Sequence, residues 1–291
     1  IDSLNELGFV NDVFFINAWE KGKIEYLKNI FKIRKIAKDY DLVHCHHIFS
    51  AMVYFLSFSK KPFILSLLGD INQRKRKLDK ILLKFIKVFS KKVIHKNEIK
   101  TKKDLKMFYC PNGVNLNSFK PMNKISCKEK LGLSTDKKYA LFVSAAGKGN
   151  SIKRYDKFEE VIKTLNKESI GIEPIILAGI ERSMVPFYYN SSDIMILTSD
   201  HEGSPNAVKE AMACNIPVVS TDVGNVSIMM EGCNGSFVST DNSVENIAKL
   251  VHNSLSSSEH NGRELLIKKE LDMVSVAKRI YSLYKTILGL K

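Results

Sequence analysis

Apolar runs of four to six residues recur along the chain, and between them apolar residues return every third or fourth position. The runs predict buried parallel strands and the longer period predicts amphipathic helices, so the chain reads as repeated β-α-β units of an α/β protein. In the first half the predicted strands are 12–16, 42–45, 63–67, a short one near Val93 and 107–110, with helices over 25–38, 51–57 and 78–90. Pro111-Asn112-Gly113 signals a turn, and Pro121 with the polar run behind it marks a hinge, which sets a boundary near residue 120. The second half opens on Ser126 and Glu129 at the spacing of a capping box. Its predicted strands are 139–143, 174–178, 194–198, 217–220 and 236–238, and its helices 154–166, 185–190, 205–214, 243–254 and 274–288. The expected organisation is a first domain over 1–120, a second over 121–272, and a C-terminal helix over 273–291 that crosses back to the first.

Composition narrows the class. The 291 residues are 44% hydrophobic, without a run of eighteen apolar residues, so no transmembrane helix is expected. No secretory leader is legible at Ile1-Asp2-Ser3-Leu4-Asn5-Glu6. The five cysteines are scattered without a C-x-x-C pair, which predicts reduced thiols in a cytoplasmic protein and no metal site. A net charge of +14 attracts polyanions, yet no nucleic-acid-binding signature accompanies it. An anionic small-molecule donor or a membrane surface accounts for the same charge, and nucleic acid is not an expected partner.

The most informative stretch runs from Glu202 to Gly224, where two carboxylates, Glu202 and Glu210, flank a helix start with seven residues between them. Gly203 permits a turn, Ser204 is the expected N-cap and Pro205 fits the first helical turn, where its missing N–H is no loss. The amides that follow, beginning with Asn206, then point out of the C-terminal edge of a parallel sheet, where anions and other ligands bind. Glu210 falls on the helix face of Asn206 at i, i+4.

This stretch resembles the E-x7-E signature of the retaining family 4 glycosyltransferases, and Ala211-Met212-Ala213 and Pro217-Val218-Val219 continue the family pattern. The resemblance is closest to bacterial capsule and teichuronic-acid type transferases, which share Glu-Gly-Ser-Pro-Asn and the segment from Val185-Pro186 to Asp193. It implies the GT-B fold, two Rossmann-like domains facing a cleft, and transfer of a sugar from a nucleotide-sugar donor to a carbohydrate or lipid-linked acceptor with retention of configuration. Pro111-Asn112-Gly113-Val114-Asn115 with Phe119 and Pro121 is similar to the family's exit from its first domain.

The family grips the leaving diphosphate with an arginine and, about five residues on, a lysine. Lys153 matches the lysine, while Lys148 stands where the arginine is expected, an ammonium in place of a bidentate fork. The resemblance gives Glu202 a place facing the transferred sugar and Glu210 the ribose hydroxyls. His44-Cys45-His46 resembles the family's H-x-H segment, and His46 is the candidate over the sugar; Gly69 and Asp70 end the next strand on the acceptor side, with Leu68 where the family often has histidine. Asp200-His201-Glu202 mimics a D-x-D metal site, but its position before the E-x7-E helix implies metal-independent chemistry with no cofactor. Two other classes share these residues, a nucleotide-sugar epimerase and a noncatalytic nucleotide-sugar-binding fragment.

The segment Arg74 to Lys92 carries Leu78, Ile81, Leu82, Phe85 and Phe89 at helical spacing, with Lys77, Lys80, Lys84, Lys87 and Lys91 elsewhere on the wheel. It is expected to pack its apolar stripe on the sheet and to offer lysines to an anionic membrane, which makes the protein peripheral on the inner membrane face. Leu4-Asn5-Glu6-Leu7-Gly8 resembles the end of the family's first helix, so a preceding strand and glycine-rich loop are expected in a longer protein.

Overall fold

The computed structural model describes residues 2–67, 77–96 and 104–290. They form two compact units, one of Ile1–Pro111 with Val274–Lys291, the other of Asn112–Met273.

The first unit is built on a parallel sheet of β1 (Val43–Cys45), β2 (Phe63–Ser66), β3 (Lys92–His95) and β4 (Met107–Tyr109), in that spatial order. Successive side chains of a strand face opposite ways. Leu65 accordingly packs with Ile48, Ala51 and Tyr54 of the helix Ile48–Leu56, whereas Ile64 packs with Val276, Leu283 and Tyr284 of the helix Met273–Leu288. Helices on both faces explain why β2 is buried throughout.

Three local expectations for this half and the next are corrected. Residues 12–16 form no strand; Val13 to Ile16 is an apolar run, but no described ladder reaches it, and Val13 and Phe15 stay exposed. The helix over 25–38 is broken into Ile24–Lys28 and Ile30–Ile36, because the Asn29 side chain donates to Glu25 O at 2.7 Å and competes with the backbone. The helix Lys124–Lys130 is capped by Asn123, whose Oδ1 accepts from Ser126 N at 2.9 Å, so Ser126 lies inside the helix.

The helix Lys77–Phe89 departs from its expected packing. Leu82, Leu83 and Ile86 join the core, while Ile81, Phe85, Val88 and Phe89 are exposed. Arg74 and the whole of 68–76 fall outside the described residues.

The second unit carries β5 (Lys138–Val143), β6 (Ile172–Leu177), β7 (Ile194–Leu197), β8 (Val218–Thr221) and β9 (Phe237–Ser239), parallel and ordered β6-β5-β7-β8-β9. From β5 the chain moves outward to β6 and then returns past β5 to β7. The direction of winding reverses between β5 and β7, and open α/β sheets bind ligands at that reversal, beyond the C-terminal strand ends. Val114 bridges Asp272 at the unit's own two ends, and Gly113 is obligatory there: a Cβ would lie 2.6 Å from Met273 Cα.

Candidate active site

The loops leaving β5 and β7 are tied together across the reversal point. Glu202 Oε1 accepts from Lys153 Nζ at 2.6 Å and from Ser199 Oγ at 2.9 Å. Both charged side chains are no more than one-fifth exposed, so this ion pair is only partly screened by water. Thr198 Oγ1 donates to the Lys153 and Arg154 carbonyls, and Asp200 N donates to Ile152 O at 2.9 Å. Arg154 takes a left-handed conformation and pairs with Asp156 and Asp200; its hydrogen bond holds the Asp156 carboxyl below the usual range. Gly224, also left-handed, presses on the far side, where a Cβ would stand 2.3 Å from Gly203 O. The backbone around Glu202 is therefore fixed from three loops.

Ser204 is not the helix cap. Pro205, extended at ψ 119°, occupies that position without a side-chain cap, and Ser204 Oγ instead accepts from Lys209 Nζ at 2.8 Å. Lys209 is fully buried, and a buried ammonium needs acceptors more than the exposed helix start needs a hydroxyl. The helix Asn206–Ala213 thus begins at an exposed Asn206, with the Lys209 charge folded back towards its first turn.

Glu210, buried in the same helix, uses both oxygens. Oε1 accepts from Arg182 Nη2 at 2.6 Å and Oε2 from the Tyr189 hydroxyl at 2.9 Å. Burial, then the Glu210 charge, pushes the Tyr189 hydroxyl well above its ordinary pKa, which keeps it a donor. The Arg182 side chain is largely exposed, with its guanidinium 4.8 Å from the centre of the Phe119 ring. A carboxylate has about four lone-pair sites, so these two bonds leave Glu210 further acceptor capacity.

Lys148 is placed differently from Lys153. It lies exposed in the 3-10 turn Gly147–Gly149, its ammonium 4.6 Å from the centre of the Tyr155 ring.

In the first unit, His46 stands at the end of β1 and stacks on His44 with ring centres 4.2 Å apart. His44 is held between the Tyr284 hydroxyl at 2.6 Å and Ser66 Oγ at 2.7 Å. Burial, then the charges of His46 and Lys96, lowers the His44 pKa well below the ordinary histidine value; burial and Lys96 lower that of His46. Lys96 itself is buried and donates to Cys110 O at 3.1 Å. Gly69 and Asp70 lie outside the described residues. Among the described residues no group of three or more His, Cys, Asp or Glu side chains is arranged to hold a metal ion.

Ser199, Arg182, Tyr189 and Lys209 were not foreseen. Lys209 alone left a trace in the sequence, as a charge inside the small and apolar run Ala207–Ala213.

Residues 135–257 match the sequence family described as "Glycosyl transferases group 1". The matched segment lies within the second unit. A putative teichuronic acid biosynthesis glycosyltransferase, TuaC of Bacillus subtilis, is 30% identical over 135 residues, 40% of this chain and 33% of its own. An uncharacterised glycosyltransferase of Haemophilus influenzae is 35% identical over 92 residues, 31% of this chain and 26% of its own. The chain thus spans about a third or less of the curated relatives it matches. Among solved structures, sucrose-phosphate synthase of Thermosynechococcus elongatus superposes with a TM-score of 0.73 at 15% identity, over 97% of this chain and 82% of the other. The Anabaena protein HepE, in complex with UDP-glucose, gives 0.68 at 15% identity, over 97% and 88%. The two parallel sheets and their helices are those of the GT-B glycosyltransferase fold.

Proposed function

We propose that this chain moves a sugar from a nucleotide-sugar donor to a carbohydrate or lipid-linked hydroxyl, with retention of configuration and without a metal ion, in the synthesis of a bacterial surface polysaccharide. The observation that carries the reading is the Lys153–Glu202 pair at the β5/β7 reversal, beside the open start of the helix Asn206–Ala213. Lys153 and the free amides of that helix supply preorganised positive charge where the diphosphate leaves, the largest single contribution in most such sites. The donor's sugar–oxygen bond breaks with its electron pair going to the diphosphate; the acceptor oxygen bonds the same carbon, and its proton passes to the departing phosphate. Glu202, tied to Lys153 and Ser199, faces the sugar; His46, in the first unit, is a hydrogen-bonding candidate for a sugar hydroxyl. Glu210 takes the ribose hydroxyls with its remaining lone pairs, Arg182 and Tyr189 holding it oriented. HepE, bound to UDP-glucose on a similar fold, makes UDP the first probe to use.

Calorimetry with UDP tests the donor side without knowledge of the sugar. Glu210→Ala is expected to weaken binding by roughly 1.5–3 kcal/mol, the range for a hydrogen bond to a charged group. Affinity equal to that of the wild-type chain removes Glu210 from the site.

A further inference from the structure

The exposed side of the helix Lys77–Phe89 bears two parallel rows. Lys80 and Lys84 form one, a turn apart; Ile81, Phe85, Val88 and Phe89 form the other beside it. Among the described residues the apolar row is not covered at Ile81 and Val88, which are 62% and 67% exposed. It continues onto the adjoining helix Ile48–Leu56, where the Phe55 ring centre lies 5.0 Å from that of Phe85 and 4.6 Å from that of Phe89. Just past that helix Phe58 is 75% exposed and held in a left-handed backbone conformation. Lys60 and Lys91 add exposed charge at its margins, and Lys87 is excluded because it pairs with Asp104.

We infer that this face docks the protein on an anionic lipid bilayer, with Phe58, Ile81, Phe85, Val88 and Phe89 entering the headgroup boundary while Lys80 and Lys84 meet the lipid charge. Two features select this occupant. A helix lying in a membrane interface needs a contiguous apolar face bordered by lysine or arginine, which is the arrangement of these rows. A second copy of the chain is disfavoured by the same lysines, since a two-fold contact would set like charge against like on molecules that each carry +14. The apolar row is what distinguishes this face from a merely solvated basic helix: electrostatic attraction alone fades with salt, and insertion persists.

The test is sedimentation of the full chain with vesicles of phosphatidylcholine alone and of phosphatidylcholine with phosphatidylglycerol, at low and high salt. The wild-type chain is expected to bind the anionic vesicles and to keep part of that binding at high salt. K80Q/K84Q should bind roughly thirtyfold more weakly at low salt, from two lysines near an anionic leaflet. I81Q/V88Q should bind at low salt only. Both variants alter exposed positions, and thermal unfolding like that of wild type confirms that they fold. Phe58→Trp supplies a reporter, whose emission should move to the blue on anionic vesicles. Binding to neither vesicle, equal binding to both, or wild-type binding by both variants overturns the inference. So does a concentration-dependent dimer that I81Q/V88Q abolishes, which would make the face a contact between copies.

Discussion

The C-terminal edges of the two sheets bring side chains together by opposite electrostatic logic. In the second unit, cations meet anions: Lys153 with Glu202, Arg154 with Asp156 and Asp200, Arg182 with Glu210. In the first, His44, His46 and Lys96 gather basic groups with no carboxylate among their bonded partners in the described residues, and their surroundings lower the pKa of both imidazoles. Paired charges give an edge suited to holding a charged leaving group, with fields already oriented before the ligand arrives. Imidazole rings beside hydroxyls give an edge suited to hydrogen bonding sugar hydroxyls, and one that acid should disturb first.

The sharpest way to break this comparison is to remove the cation that joins the loops after β5 and β7. Lys153→Ala deletes the cation proposed to meet the diphosphate and leaves Glu202 with Ser199 as its bonded partner. Turnover is expected to fall about a hundredfold or more, the usual loss for one such stabiliser. Steady-state transfer kinetics measure it, and an active Lys153→Ala enzyme would show that the charged edge is structural.

The contrast also governs what could be read from the sequence. Glu202, Gly203, Pro205 and Glu210 were legible because strand, turn and helix follow one another without interruption, so local rules fix their relative places. The partners of Glu210 were not legible: Arg182 and Tyr189 lie 28 and 21 residues away and reach it only through packing of separate elements. Ser204 shows a local rule overruled, because cap propensity says nothing of a lysine that must be buried five residues on. The apolar run within 12–16 reads as a strand, yet a strand also needs a neighbour with free backbone groups, which no pattern within the segment specifies. In the helix Lys77–Phe89 the period was right and the facing wrong: both sides carry apolar residues, and periodicity cannot say which is covered.

A second test addresses the histidine edge through pH. The His44 pKa is lowered in the folded protein, so the unfolded chain binds the extra proton first. Stability from this group is complete above the unfolded value, about 6.5, and is lost as pH falls from there towards the folded pKa, by at most about 1.4 kcal/mol per pH unit for one proton. His46 adds in the same direction. Asp156 and Asp241, lowered by their hydrogen bonds, act in a separate window below about pH 4, where their stabilisation disappears. Denaturant unfolding between pH 5 and 7 should therefore show a slope that His44→Gln reduces; the same slope in the variant would mean that His44 does not carry the linkage.

The smallest expected effect sharpens the contrast between the two lysines of the β5 loop. Lys148 lies in the turn Gly147–Gly149 with its ammonium over the Tyr155 ring and makes no bond to the Lys153–Glu202 pair. An exposed contact of this kind contributes about 0.5–1 kcal/mol. Lys148→Ala should consequently leave thermal unfolding nearly unchanged and lower turnover by less than about tenfold, well short of the loss in Lys153→Ala. Lys148→Arg is the informative partner variant: a guanidinium can still lie over Tyr155, and if the turn brings it to the diphosphate its two-pronged geometry should tighten UDP binding severalfold. Equal losses in Lys148→Ala and Lys153→Ala would mean that Lys148 leaves the ring when donor binds, and that the charged edge extends across the whole loop.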